Sequence, residues 1–167
     1  MAVPRWGGCP EGDSGSPFMT WRTLPLYDAP ADRVRSQMNV FELSGREVEA
    51  VDPANFTGGG TLVRMTGVCP SPAVNAYRVT FEPGTRTAWH THTGPQILVV
   101  TDGRCRFQKA GEPVQEVDAG GIVSIEPGEL HWHGATPQAP TTHLALNIDA
   151  ETTWFEKVSG EEYAGAS

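Results

Sequence analysis

From residue 60 to residue 148 the chain breaks into short runs of β-type residues set apart by glycine and proline turns. No other feature limits its possible folds as much. The runs are "TLVRMTG", "AYRVTF", "ILVVT", "RCRFQ", "QEVDA", "IVSI" and "HLALNI". Between them stand "EPGT" (Glu82 to Thr85), "DG" (Asp102, Gly103), "AGEP" (Ala110 to Pro113), "AGG" (Ala119 to Gly121) and "EPGE" (Glu126 to Glu129). Each separator carries the residue a tight turn requires. Seven or more strands with no helix between them predict an all-β sandwich or small barrel. The 19 glycines and 14 prolines among 167 residues agree with that class and argue against a helical protein.

The ends read differently. Residues 1–37 include "GGCPEGDSGSP", show little periodicity and predict a flexible arm. Within it "WRTLPLYDA" is the candidate for packing on a neighbouring subunit, and Met19 and Met38 are candidate starts of a shorter product. Residues 38–150 form the expected domain. Residues 151–167 predict a C-terminal helical tail of one or two short helices, docked by Trp154, Phe155 and Tyr163.

A net charge of −8 without a basic cluster argues against nucleic acid and against anionic membrane surfaces. With no apolar stretch near 18 residues and no secretory pattern at the N-terminus, the expectation is a soluble, cytoplasmic protein. Cys9, Cys69 and Cys105 form no CxxC pair, and Cys69 and Cys105 read as ordinary thiols.

All five histidines fall between residues 90 and 143, at His90, His92, His131, His133 and His143. Side chains two apart on a strand point the same way, so His90 pairs with His92 and His131 with His133. Two such pairs converge only where strands curl toward one another, as inside a small barrel. Neutral imidazole is a good ligand for several divalent metals, and a barrel interior gives it a dry, preorganised cavity. Trp89 and Trp132 should point away from that interior and serve packing. Arg86, just before the first pair, is either a solvated turn residue or a partner for an acidic substrate.

At these residues the chain resembles the cupins. Gly84, five residues, His90-x-His92, three residues, Gln96, six residues and Gly103 match the first cupin motif at every spacing, with Gln96 where a glutamate is usual. Gly120 through Gly128 and His131 resemble the second motif, with Glu126 for the usual proline and Ala135 for the usual asparagine. Within residues 60–150, "VTFEPGTRTAWHTH", "PGELHWHGA" and "THLAL" are similar to a branch of small single-domain cupins that includes manganese-dependent hydroxynitrile lyases. The resemblance implies a double-stranded β-helix, a jelly-roll-like small barrel, with one divalent metal ion held by His90, His92, Gln96 and His131. Manganese comes first; iron, zinc, nickel and cobalt are alternatives. His133 and His143 would line the same cavity and move protons, and His133 is open to a further reading as a fifth ligand. A homodimer is also implied.

The amide at Gln96 bears on the chemistry, because a neutral oxygen leaves the metal nearly its full charge, which favours Lewis-acid work. The leading expectation is a hydroxynitrile-lyase-like enzyme acting on a small carbonyl or hydroxy compound. A polyketide cyclase or aromatase, a dioxygenase, and a non-catalytic small-molecule binding or sensing protein are the alternatives, since one fold hosts many chemistries.

Overall fold

The computed structural model describes residues 38–165; the arm expected over residues 1–37 lies outside them. Twelve strands and one helix follow in chain order: β1 (Glu49–Ala50), β2 (Phe56–Thr57), β3 (Gly60–Pro70), β4 (Ala73–Phe81), β5 (Arg86–Thr87), β6 (His90–His92), β7 (Gln96–Lys109), β8 (Gln115–Asp118), β9 (Ile122–Ile125), β10 (His131–Ala135), β11 (Thr141–Ile148), β12 (Thr152–Trp154) and α1 (Gly160–Ala164). The strands pair antiparallel and make one curled sheet with two walls. One wall runs β1-β3-β4-β11-β7-β9; in the other, β10 lies between β7 and the pair β5 and β6, with β8, β2 and β12 at its margins.

The strand shared by both walls is β7, and it corrects one sequence expectation. "ILVVT" and "RCRFQ" are not two strands parted by a turn at Asp102-Gly103 but halves of a single strand. Its first half pairs with β9 and β11, and its second half with β8 and β10. Gly103 marks the crossing, with φ at +70°. A side chain there would put its Cβ 2.3 Å from the Pro140 carbonyl oxygen. Only glycine meets both demands. The signal at "DG" was real, but it bends a strand instead of ending one.

Alternation on the central strands fills the interior. Leu98 and Val100 on β7, Val79 and Phe81 on β4, and Ala145 on β11 are all buried. Two apolar groups form there, Val51, Leu62, Val79, Phe81 and Ala135 in one and Leu98, Ile125 and Ala145 in the other. Each large side chain withdrawn from water in this way contributes roughly 1.5–3 kcal/mol.

The tail carries a strand as well as a helix. Thr152 to Trp154 pair with β6 before the chain turns into α1. Ser159 caps α1, accepting from the Glu162 amide, while the Glu162 carboxylate accepts from the Ser159 amide. Tyr163 docks as expected, with Trp89, Trp132 and Val158, on the outside of β10. Trp89 and Trp132 thus do pack away from the interior. Arg86 fits neither of its readings: its guanidinium donates to the Val158 and Gly84 carbonyls and lies 4.5 Å from the Tyr163 ring centre, so it clamps the tail. Among the described residues no helix is long and apolar enough to cross a membrane.

Candidate metal centre

Strands β6 and β10 lie side by side with His131 opposite His90, so the two histidine pairs face one another across the ladder. His90, His92, His131 and His133 are all buried, as is Gln96 at the start of β7. The His90 and His131 rings stand 4.1 Å apart, His90 and His92 5.1 Å, and His92 and His131 5.4 Å, centre to centre. Each of these three can offer a ring nitrogen, and those nitrogens lie within 4.8 Å of one another.

The hydrogen bonds decide which nitrogen each ring offers. Nδ1 of His90 faces the Ala88 carbonyl at 2.9 Å, and Nδ1 of His131 faces the Glu129 carbonyl at 2.8 Å. A carbonyl only accepts, so both rings carry their proton on Nδ1 and leave Nε2 bare. Nδ1 of His92 is 3.0 Å from the Thr152 hydroxyl, and its Nε2 is buried without a partner. Gln96 donates its amide N–H to Asn147 Oδ1 at 2.9 Å, which turns its carbonyl oxygen to within 3.3 Å of His131 Nε2. Two acceptors then face each other with no proton between them. A cation turns that opposition into attraction, and the residues present fit a divalent metal ion.

Electrostatics agree. Burial first, then the neighbouring histidines, hold His90 well below the ordinary histidine value; burial, then His131, brings His92 to about 4. His131 is also lowered by burial. The rings are neutral near pH 7, the form in which imidazole binds metal.

His133 and His143 stand deeper. Their rings meet edge to face at 4.8 Å, and both pack against Phe81. Among the described residues' buried polar atoms, Nδ1 of His133 and both ring nitrogens of His143 have no partner. Burial pushes His133 well below the ordinary range and His143 to about 4. They are not equivalent. His133 forms part of the wall of a cavity of about 310 Å³ that also exposes His90, His92 and Gln96, whereas His143 is fully buried and does not line it.

The same cavity is walled by Phe56, Tyr77, Val79 and Trp154, with Asn147 and Thr152 among its polar groups. Sequence reasoning missed most of these. Trp154, expected to dock the tail, is 37% exposed and lies 4.6 Å from the His90 ring centre. Asn147 had a legible signal, since it follows His143 at an even spacing on the same strand face. Phe56 and Thr152 had none, because their strands are only two and three residues long.

The architecture and site define a class: a single small β-barrel domain that opens on a buried, neutral, histidine-rich centre able to hold a metal ion. Residues 77–147 match the family described as Cupin domain. An (R)-mandelonitrile lyase from Granulicella tundricola is 42% identical over 123 residues, which span 71% of this chain and 94% of that protein. The chain belongs to the cupin family. A cupin-like protein from Thermotoga maritima superimposes with a TM-score of 0.66 and 32% identity, over 78% of this chain and 98% of that one. Oxalate decarboxylase from Bacillus subtilis shares the fold at 17% identity and a TM-score of 0.57, over 69% of this chain and 31% of its own.

Proposed function

We propose that this cupin is a metal-dependent lyase that cleaves small hydroxynitriles to a carbonyl compound and hydrogen cyanide. The observation that carries the reading is the 42% identity to an (R)-mandelonitrile lyase across nearly all of that protein. Its support in the molecule is a cavity that combines aromatic walls with neutral histidines. His90, His92, Gln96 and His131 would hold one divalent ion, manganese by family resemblance. When bound, the ion supplies a Lewis acid for the substrate oxygen or for the departing anion.

The remaining work belongs to side chains of this chain. Phe56, Tyr77 and Trp154 bind the apolar part of the substrate and exclude water. His133 presents a neutral imidazole to the cavity and takes the hydroxyl proton. As the C–O bond becomes a carbonyl, the C–CN bond breaks and its electron pair leaves with cyanide. The proton returns from His133 to that anion, and hydrogen cyanide departs. His143 acts through His133, orienting its ring by edge contact.

The test uses the metal-loaded full chain and racemic mandelonitrile, with benzaldehyde release followed by ultraviolet absorption. His133→Ala should lower turnover by about 100-fold or more while metal content stays unchanged, the range expected for loss of a general base. His143→Ala should also lose turnover with its metal intact. Absence of cleavage by the metal-loaded wild type across aromatic and aliphatic hydroxynitriles would overturn the lyase reading. Oxygen uptake in its place would favour the dioxygenase, ring closure of a poly-β-ketone the cyclase, and binding without turnover the sensing protein.

A further inference from the structure

The four side chains assigned to the centre are oriented by two different devices. His90 and His131 are each held by the backbone carbonyl two residues earlier, through Ala88 and Glu129. No substitution removes those acceptors. Gln96 is held only by a side chain, Asn147, which lies directly opposite it in the β7–β11 ladder. Both residues are buried, at 4% and 6% exposure, so water does not replace the bond when it is lost.

An amide has two ends of nearly equal shape and opposite chemistry. With Nε2 donating to Asn147 Oδ1, the Gln96 carbonyl faces His131 Nε2. Turned over, Gln96 would present its N–H₂ to the same nitrogen. It would then satisfy His131 by an ordinary hydrogen bond and remove both lone pairs from the centre. The choice between a metal-binding and a metal-excluding amide therefore rests on whether position 147 accepts a hydrogen bond. We infer that Asn147 is a positioning residue that selects the carbonyl-inward orientation of Gln96 and so sets the affinity of the centre. This rests on the reading of Gln96 as a ligand.

The experiment measures Mn(II) affinity of the full chain by competition with a fluorescent chelator, and the visible absorption spectrum of the Co(II)-loaded protein. Neither readout depends on turnover. Asn147→Ser withdraws the acceptor beyond reach, and Asn147→Leu replaces it with an apolar group. Both should weaken Mn(II) binding by about 10–100-fold and alter the Co(II) spectrum in the same direction as Gln96→Leu. Asn147→Asp offers an acceptor only, and should keep or exceed wild-type affinity and restore the wild-type spectrum. If Asn147→Leu does not fold, the Ser and Asp variants carry the comparison. Weakened binding in Gln96→Leu together with Asn147→Ser within twofold of wild type, and an unchanged spectrum, overturns the role of Asn147 alone. A lowered melting temperature with neither readout moved overturns it likewise. Unweakened binding in Gln96→Leu overturns the ligand reading itself, and the inference with it.

Discussion

On the proposed ligand set, a single atom type at position 96 would set the character of this centre. Three neutral imidazoles and an amide oxygen would put no negative charge on a divalent ion, whereas a carboxylate at position 96 would cancel half of its charge. Gln96→Glu should therefore bind Mn(II) at least about tenfold more tightly, a gain of about 1.4 kcal/mol, and cleave mandelonitrile more slowly. Chelator competition and kcat measured on one preparation give both signs, and an equal or faster kcat would contradict the Lewis-acid argument. The Glu variant would also place a charge beside Asn147, which already accepts from residue 96 in the wild type. His143 shows how burial alone sets a titration: with no partner at either nitrogen and no exposure, it has nothing to stabilise its cation.

At the level of elements, β7 and β12 do most to build the site, and neither has the form its residues predicted. β7 joins the two walls because Gly103 lets it bend beside Pro140. Gly103→Ala should destabilise the fold by about 2–4 kcal/mol in urea unfolding, since a strained positive φ and a steric collision add. Gly111→Ala makes the control: its φ is also positive, at +80°, but a Cβ there meets nothing within 4 Å. It should cost only about 1–2 kcal/mol, the conformational part alone. Equal losses at the two glycines would mean the close approach at Gly103 is unimportant. β12 contributes through its edge, since pairing with β6 brings Thr152 to His92 and Trp154 over His90. The tail read as helical because its aromatics stood at no strand-like spacing, and a three-residue strand is too short to show alternation.

All five histidines are buried in neighbouring positions of the interior, and this fixes how metal-free protein responds to acid. In the unfolded chain histidines take protons near pH 6.5. In the folded chain His92 and His143 do so only at about 4. Between those values the unfolded state binds more protons, so stability falls as pH drops from about 6.5 to about 4, and above that window the neutral rings impose no penalty. Thermal melts of chelator-treated protein across this range should show the decline, and Mn(II) should raise the melting temperature at pH 7 in proportion to the logarithm of its concentration. A flat profile would mean the rings are less buried than their surroundings indicate. The sequence by itself determined the all-β class, the turns at Glu82–Thr85, Ala110–Pro113, Ala119–Gly121 and Glu126–Glu129, though not the one expected at Asp102-Gly103, and the inward face of His90, His92 and His131, because strand alternation and glycine turns are local rules written in neighbouring residues. Its resemblance to the cupin motif also marked Gln96, six residues after His90 and four after His92. Only the tertiary structure decided that His133 lines the cavity while His143 does not, that Trp154 covers His90, and that Asn147 bonds Gln96. Gln96 and Asn147 are 51 residues apart, and Thr152 and His92 are 60. Such contacts depend on the register between strands and on the curl of the whole sheet, which no short stretch of chain encodes.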